Sequence, residues 1–273
     1  MRIGLSTLLF PRSGLEEAVR TCVELGADWV EVIWDFPHVG PGVRRPDIGR
    51  MRRILEEGGV GVSVHGSFWD LNPSSLYPEL RRLTLRRLAD GISACERLGG
   101  EVFVVHVGKC PVPEVEWMWR RAGEIYERTL AEVVRLARRA EIRVAVENAG
   151  SAYGPYATLE ELPGLVGRFD GVGICLDIGH AHLVAKRSGR TDEWVGRQVR
   201  RIGGGIVHVH VHDNLGNRDD HMVPGDGEID FRPVARALRS VGYSGAVVVE
   251  LFNPERSVET GRRGLEAVRR LWR

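Results

Sequence analysis

"EIYERTLAEVVRLARRAEIRVAVENAG" (Glu124–Gly150) changes its period halfway along. From Glu124 to Ala140, Leu, Val, Ile and Ala recur every three or four residues while Arg and Glu fill the other face, which is an amphipathic helix. From Arg143 the pattern shortens to "RVAVE", a β-branched run that reads as a buried strand finishing on Glu147. A helix followed at once by an apolar strand is half of a βαβ unit. The same alternation extends in both directions. Strands are predicted at Ile3–Thr7, Trp29–Ile33, Val60–His65, Val102–His106, Arg143–Glu147, Val172–Asp177, Ile206–His212 and Ala246–Glu250. Helical patterns such as "GLEEAVRTCVELG" and "LYPELRRLTLRRLADGISACERLG" lie between them, and Gly26, Gly99 and Gly242 stand where helices should stop.

Eight such strands on a chain of 273 residues suit an α/β protein built as a single (β/α)8 TIM barrel, one domain over residues 1–273. A doubly wound open sheet would carry a Gly-rich turn after its first strand, and "LSTLLFPRSG" is not GxGxxG. The hydrophobic fraction of 43% is ample for a core, and no linker or low-complexity tract interrupts it. No apolar run approaches the ~20 residues of a membrane helix. The N-terminal "MRIGLSTLLFPRSG" reads as a first strand rather than a signal peptide. Cys22, Cys95, Cys110 and Cys175 show no CxxC spacing, so reduced thiols and a cytoplasmic location are expected. A net charge of +1 neither demands nor excludes nucleic acid. Of the cations only Lys109 and Lys186 are lysines. The pairs Arg81–Arg82 and Arg86–Arg87 read as a solvated helix face, with Glu79 and Asp90 placed to pair with them.

In such a barrel the chemistry sits at the C-terminal ends of the strands. "VGVSVH" ends in His65, "VFVVH" in His106, "IRVAVE" in Glu147 and "GICLD" in Asp177; "IVHVH" delivers His210 and "AVVVE" ends in Glu250. Six consecutive strands thus finish in His, Asp or Glu, types that make up 46 of the 273 residues. Singly, His65 or His106 reads as a satisfied core histidine, and Glu147 or Asp177 as a helix cap. Together they converge on one mouth, where carboxylates without a cation would repel one another. Mixed imidazole and carboxylate donors suit zinc, manganese or iron better than calcium. His180 follows Asp177 as D-x-x-H, one helical turn on, and His182 fits the helix beyond.

The richest stretch is "HVHVHDNLGNRDDHMVPGDG" (His208–Gly227). On a strand His208, His210 and His212 share a face and climb the wall in steps of about 7 Å, so they cannot all be ligands. His208 lies deepest, and His210 and His212 compete for the mouth. Asp213 is placed to orient a ligating imidazole. Asp219 and His221 form a D-x-H pair on the loop that "GDGEID" turns back, and no phosphate-cradling Lys-Ser/Thr accompanies Gly225 and Gly227.

With these residues in view, the whole chain resembles the xylose isomerase-like barrel superfamily. "VHGSFWDLNP", "VVHVGK", "VENAG", "GICLDIGHAH", "HVHDNLGNRDDHMVPGDGEID" and "VVVELFNP" carry the likeness. This superfamily includes sugar-phosphate isomerases and epimerases and the endonuclease IV type of abasic-site nuclease (AP endonuclease family 2). For the first branch the resemblance implies one divalent metal on Glu147, Asp177, His210 and Glu250. For the second it implies three zinc ions: one on His65, His106 and the bridging Glu147, one on the four residues just given, and one on His180, Asp219 and His221. It thereby places His210 rather than His212 in the ligand set. The surroundings depart from the nuclease pattern, which has Asp-Ser/Ala-Lys after the strand-seven ligand and a longer loop before Asp-Arg-His. Here the segment reads "HDNLGNRDDH", and "DIGH" replaces Asp-Thr/Ser-Cys/Ala-His.

Three readings follow. The first is a sugar or sugar-phosphate isomerase or epimerase working through an enediolate, with one to three divalent ions (Zn, Mn, Mg or Co) and no organic cofactor. Glu147 and Glu250 would exchange the proton and His180 would contact a substrate oxygen. Phe68 or Trp69 would cover an apolar sugar face, with Lys109, Arg218 and His212 as further substrate contacts. The second is a zinc phosphodiesterase acting at abasic DNA sites, which needs a basic, wedge-bearing rim. The third is a barrel that only binds. No sequence feature sets the oligomeric state.

Overall fold

The computed structural model describes residues 1–151 and 154–272. Eight parallel strands close into a barrel in chain order: β1 (Arg2–Ser6), β2 (Trp29–Ile33), β3 (Gly61–His65), β4 (Val102–His106), β5 (Arg143–Glu147), β6 (Val172–Asp177), β7 (Ile206–Val211) and β8 (Ala246–Val249). Around them run α1 (Leu15–Glu24), α2 (Ile48–Glu57), α3 (Pro78–Leu98), α4 (Glu116–Arg139), α5 (Leu162–Val166), α6 (Ile178–Arg187), α7 (Asp192–Ile202), α8 (Arg232–Ser240) and α9 (Ser257–Leu271). The architecture is the single (β/α)8 barrel expected, and each strand lies within two residues of its predicted bounds. Gly26, Gly99 and Gly242 adopt φ of 80°, 76° and 70°, the left-handed backbone that lets a chain leave a helix. Among the described residues no helix is long and apolar enough to cross a membrane.

The strands are buried on both faces, as the short apolar runs require. One face packs against the helices through the main apolar cluster, which includes Val30, Val32, Phe103, Val144 and Val247. The alternate face fills the barrel with small clusters, Val102–Val104–Ala145–Cys175 and Trp29–Ala246–Val248. Register then sets the ends level: His106 pairs with Glu147, Glu147 with Cys175, and Asp177 with His210.

Two expectations change. Helix α4 begins at Glu116, eight residues before the clear periodicity. Asp90 does not pair with the α3 arginines. It accepts from Trp34 Nε1 (2.9 Å) and Arg45 Nη2 (2.9 Å), while Arg87 reaches the Val39 carbonyl and Arg82 pairs with Glu79 at 3.1 Å. All four cysteines are buried and unpaired.

Candidate metal centre

The strand ends converge on a cavity of about 700 Å³ at the C-terminal mouth, walled by Phe68, Trp69, Leu8 and Phe252 on its apolar side. Glu147 and Glu250 line its floor, and with the fully buried Asp177 and His210 they form a cluster in which each of the four places one donor atom within 4.8 Å of all the others. His210 Nδ1 stands 3.6 Å from Glu147 Oε1, 3.8 Å from Asp177 Oδ2 and 3.7 Å from Glu250 Oε2. Neither His210 Nδ1 nor Asp177 Oδ2 has a hydrogen-bond partner among the described residues. Donors bonded to one ion at about 2.1 Å stand about 3–4 Å apart, so the spacing and the orphaned lone pairs fit a divalent metal.

Two further clusters flank this one, His65–His106–Glu147 and His180–His212–Asp219–His221. Three of their five histidines share one construction. The Nδ1 of His65, His180 and His221 donates to the carbonyl of Gly66 (2.9 Å), Asn148 (3.0 Å) and Glu250 (2.8 Å) respectively. That leaves each Nε2 aimed inward, at Glu147 Oε2 (3.1 Å) from His65 and at Asp219 Oδ2 (2.9 and 3.4 Å) from the other two. Backbone carbonyls commonly fix metal-binding imidazoles in this way. His65 and His106 bring their Nε2 atoms within 3.1 Å of each other and of the same Glu147 oxygen, an approach that a shared ion would relieve.

Electrostatics within the cluster are steep. Burial alone would lower the His65 pKa, but Glu147, Glu31 and Glu250 outweigh it and lift the group to about 9. His221 likewise rises to about 9 against its burial, through Asp219 and Glu250. Burial opposes ionisation of Glu147 and Asp177, yet the facing imidazoles hold both below the usual carboxylate range.

Asp177 serves both roles open to it. Its Oδ1 caps α6 by accepting from the His180 N–H at 2.6 Å, and its Oδ2 faces the cluster. Phe68 and Trp69 are brought to the cavity by Asp35, whose Oδ2 accepts both of their backbone N–H groups. The Phe68 ring stacks on His106 at 4.8 Å. Lys109 also lines the cavity; Arg218 lies at its rim, exposed and paired with Asp220. His182 pairs with Asp192 at 2.7 Å and Glu228 at 3.2 Å, outside the cluster.

Two residues stand elsewhere than expected. His212, expected as a substrate contact, is fully buried and does not line the cavity. Its Nε2 is 3.1 Å from Asp177 Oδ1 and its ring stacks on His221 at 4.0 Å. Asp213 does not orient an imidazole. Its carboxylate accepts the backbone N–H groups of Asn214, Gly225, Gly227 and Ile229, tying down the loop that carries Asp219 and His221.

One residue escaped the sequence reading. Glu31, in the middle of β2, is fully buried under the cluster. Its Oε2 accepts from His208 Nε2 (2.8 Å) and from Ser63 Oγ (2.9 Å), and its Oε1 lies 2.9 Å from His210 Nε2. Ser63 is in turn held by Trp29 Nε1 at 2.9 Å. The available signal was a charge inside "WVEVI", a strand otherwise apolar on both faces.

Comparison with known proteins agrees with this architecture. A family model described as xylose isomerase-like TIM barrel matches residues 19–271. An uncharacterized protein of Methanocaldococcus jannaschii is 32% identical over 267 residues, covering 95% of this chain and 87% of the relative. A crystal structure described as a D-tagatose 3-epimerase-like protein superposes with a TM-score of 0.83 at 28% identity, over 99% of this chain and 98% of the other. The IolI protein, solved with a zinc atom, is similar in fold at 18% identity, with a TM-score of 0.80 over 99% and 96% of the two chains. A D-allulose 3-epimerase from Methylomonas sp. is also similar in fold, at 16% identity and a TM-score of 0.80 over 99% and 98%.

Proposed function

Because the chain belongs to the xylose isomerase-like TIM barrel family, we propose that it is a divalent-metal-dependent sugar isomerase or epimerase. One observation carries the reading: two carboxylates, Glu147 and Glu250, meet Asp177 and His210 in a buried, metal-sized cluster at the floor of a sugar-sized cavity. Glu147, Asp177, His210 and Glu250 would hold the metal. When bound, the ion would polarise a sugar carbonyl and its neighbouring hydroxyl, acidifying the C–H bond between them.

The remaining work falls to the chain. Glu147 from β5 and Glu250 from the end of β8 approach from separate walls, so one removes the carbon-bound proton and the other returns it, through an enediolate. His180, on the wall of the cavity, would contact a substrate oxygen. Phe68 and Trp69 cover the apolar face of the sugar and exclude water; Trp69 keeps 51% of its surface exposed for that contact.

The two flanking clusters favour a second reading, a zinc-dependent nuclease of the endonuclease IV type. All nine positions of that pattern converge here, His65 and His106 on one side and His180, Asp219 and His221 on the other. One pair of assays separates the readings. Zinc- and manganese-loaded protein is given a panel of ketoses and their phosphates, and separately a duplex with one abasic site, with EDTA and Glu147→Ala as controls. Interconversion of a sugar, lost in both controls, is the expected result. Nicking of the duplex, lost in both controls and without sugar turnover, would replace the first reading by the second.

A further inference from the structure

Beside the main cavity, and sharing its His106, Glu147 and His180 wall, lies a second pocket of about 330 Å³. Three cations border it, Lys109 after β4, Arg187 at the end of α6 and Arg218, together with the carboxylates Glu147 and Asp219. Lys109 and Arg187 are held in place by neutral groups. The Asn72 side chain clamps the Lys109 backbone, donating to its carbonyl and accepting from its N–H, each at 2.9 Å. Arg187 donates to the Gly150 carbonyl (2.7 Å) and the Asn217 carbonyl (3.3 Å). Their neighbours are paired: Lys186 with Glu228, Arg190 with Glu160 and Arg218 with Asp220. Among the described residues Lys109 and Arg187 have no such ion pair, while the two carboxylates of the pocket face imidazoles, Glu147 those of His65 and His106 and Asp219 that of His180.

Composition gives an independent sign. Of 38 basic residues only two are lysines. One is tied to Glu228, and the other, with its compact ammonium, stands here. Part of the wall is glycine backbone. A Cβ on Gly108 would come 1.7 Å from Ser74 Oγ, and one on Gly154 would come 1.9 Å from the Gly108 carbonyl. Gly108, Gly150 and Gly154 therefore present peptide groups where the main cavity presents Phe68 and Trp69.

We propose that this pocket is a phosphate subsite and that the substrate is a phosphorylated sugar. Its phosphate sits between Lys109 and Arg187 while the reacting carbons lie against Glu147 and Glu250. The assignment rests on the sugar isomerase or epimerase reading of the main site. A phosphate ester matches two cations better than a carboxylate does, because its two charges and three free oxygens reach donors on separate elements. The phosphate anchors the substrate and is not transferred.

Two arms test this. Inorganic phosphate is titrated calorimetrically into metal-free protein, so that the metal centre cannot capture it, and into the Lys109→Gln/Arg187→Gln variant. Metal-loaded protein is then assayed on ketose phosphates and the corresponding free ketoses. The expected results are phosphate binding weakened roughly tenfold or more in the double variant, and a similar fall in its preference for phosphorylated over free sugar. Lys109→Gln alone, at an exposed side chain, covers the case in which the double variant does not fold. Equal phosphate binding by wild type and variant, or an equal rate on free and phosphorylated sugars, would overturn the proposal. Phosphate binding lost in the variant, with no sugar turned over by the wild type, would leave the subsite standing and remove the sugar reading instead.

Discussion

His210 has two ring nitrogens, and the barrel assigns each its own carboxylates. Nδ1 faces Glu147, Asp177 and Glu250, whereas Nε2 faces Glu31. A carboxylate behind a ligating imidazole fixes its tautomer and raises its basicity. Glu31→Gln is therefore expected to weaken metal binding by about 10- to 100-fold, measured by competition with a chromophoric chelator. Unchanged affinity in the folded variant would show Glu31 to be packing only. Glu250→Gln should lower kcat by about 10²- to 10⁴-fold, the usual worth of a positioned acid or base. A loss confined to KM would contradict that role. At this scale the strand-end residues were legible, because a barrel collects them by construction. Glu31 was not, because it lies mid-strand and declares itself only once β7 is seen across the barrel.

At the scale of elements, β6, α6 and β7 explain a departure that looked arbitrary in the sequence. Where the nuclease pattern has a larger residue, "DIGH" has Gly179, and a Cβ there would come 2.1 Å from the His212 ring. His212 can lie flat under the cluster because position 179 has no side chain. Gly179→Ala is expected to cost about 1–3 kcal/mol, read from the urea midpoint, as overpacking does in a tight interior. A neutral result would mean that the ring can move freely. The Asp213 loop follows the same logic. One carboxylate accepts four backbone N–H groups, and Gly227 lets the chain come close enough, since its Cβ would lie 2.3 Å from Asp213 Oδ1. "HDN" followed by "GDG" signalled a structured loop but not which partner the aspartate holds, because that depends on how the chain folds back. The start of α4 was missed for a related reason. "EWMWRRAG" lacks a clean apolar stripe, and no residue of the helix is buried before Ala122.

Across the whole molecule the alternation of strand and helix was enough for the barrel, since eight buried strands with helical crossovers leave few other closures. The same closure gathers four buried acidic groups, Glu31, Glu147, Asp177 and Glu250, around one centre. A bound cation offsets that charge, so binding should appear as global stability. At a free metal concentration 100 times Kd the gain is about 2.7 kcal/mol, or about 5–10 °C in Tm for a domain of this size. Chelator-treated protein should melt lower by that amount and recover on adding zinc or manganese. Identical melting curves would contradict a metal centre here.

The most direct test is isotope exchange. Metal-loaded protein is incubated in D2O with ketoses and ketose phosphates, and the recovered sugars are analysed by mass spectrometry. The expected result is one deuterium on the carbon beside the carbonyl, together with a second sugar that differs at that centre or in the position of the carbonyl, both abolished in Glu250→Gln. No deuterium in any sugar, from protein shown to carry its metal, would contradict the account.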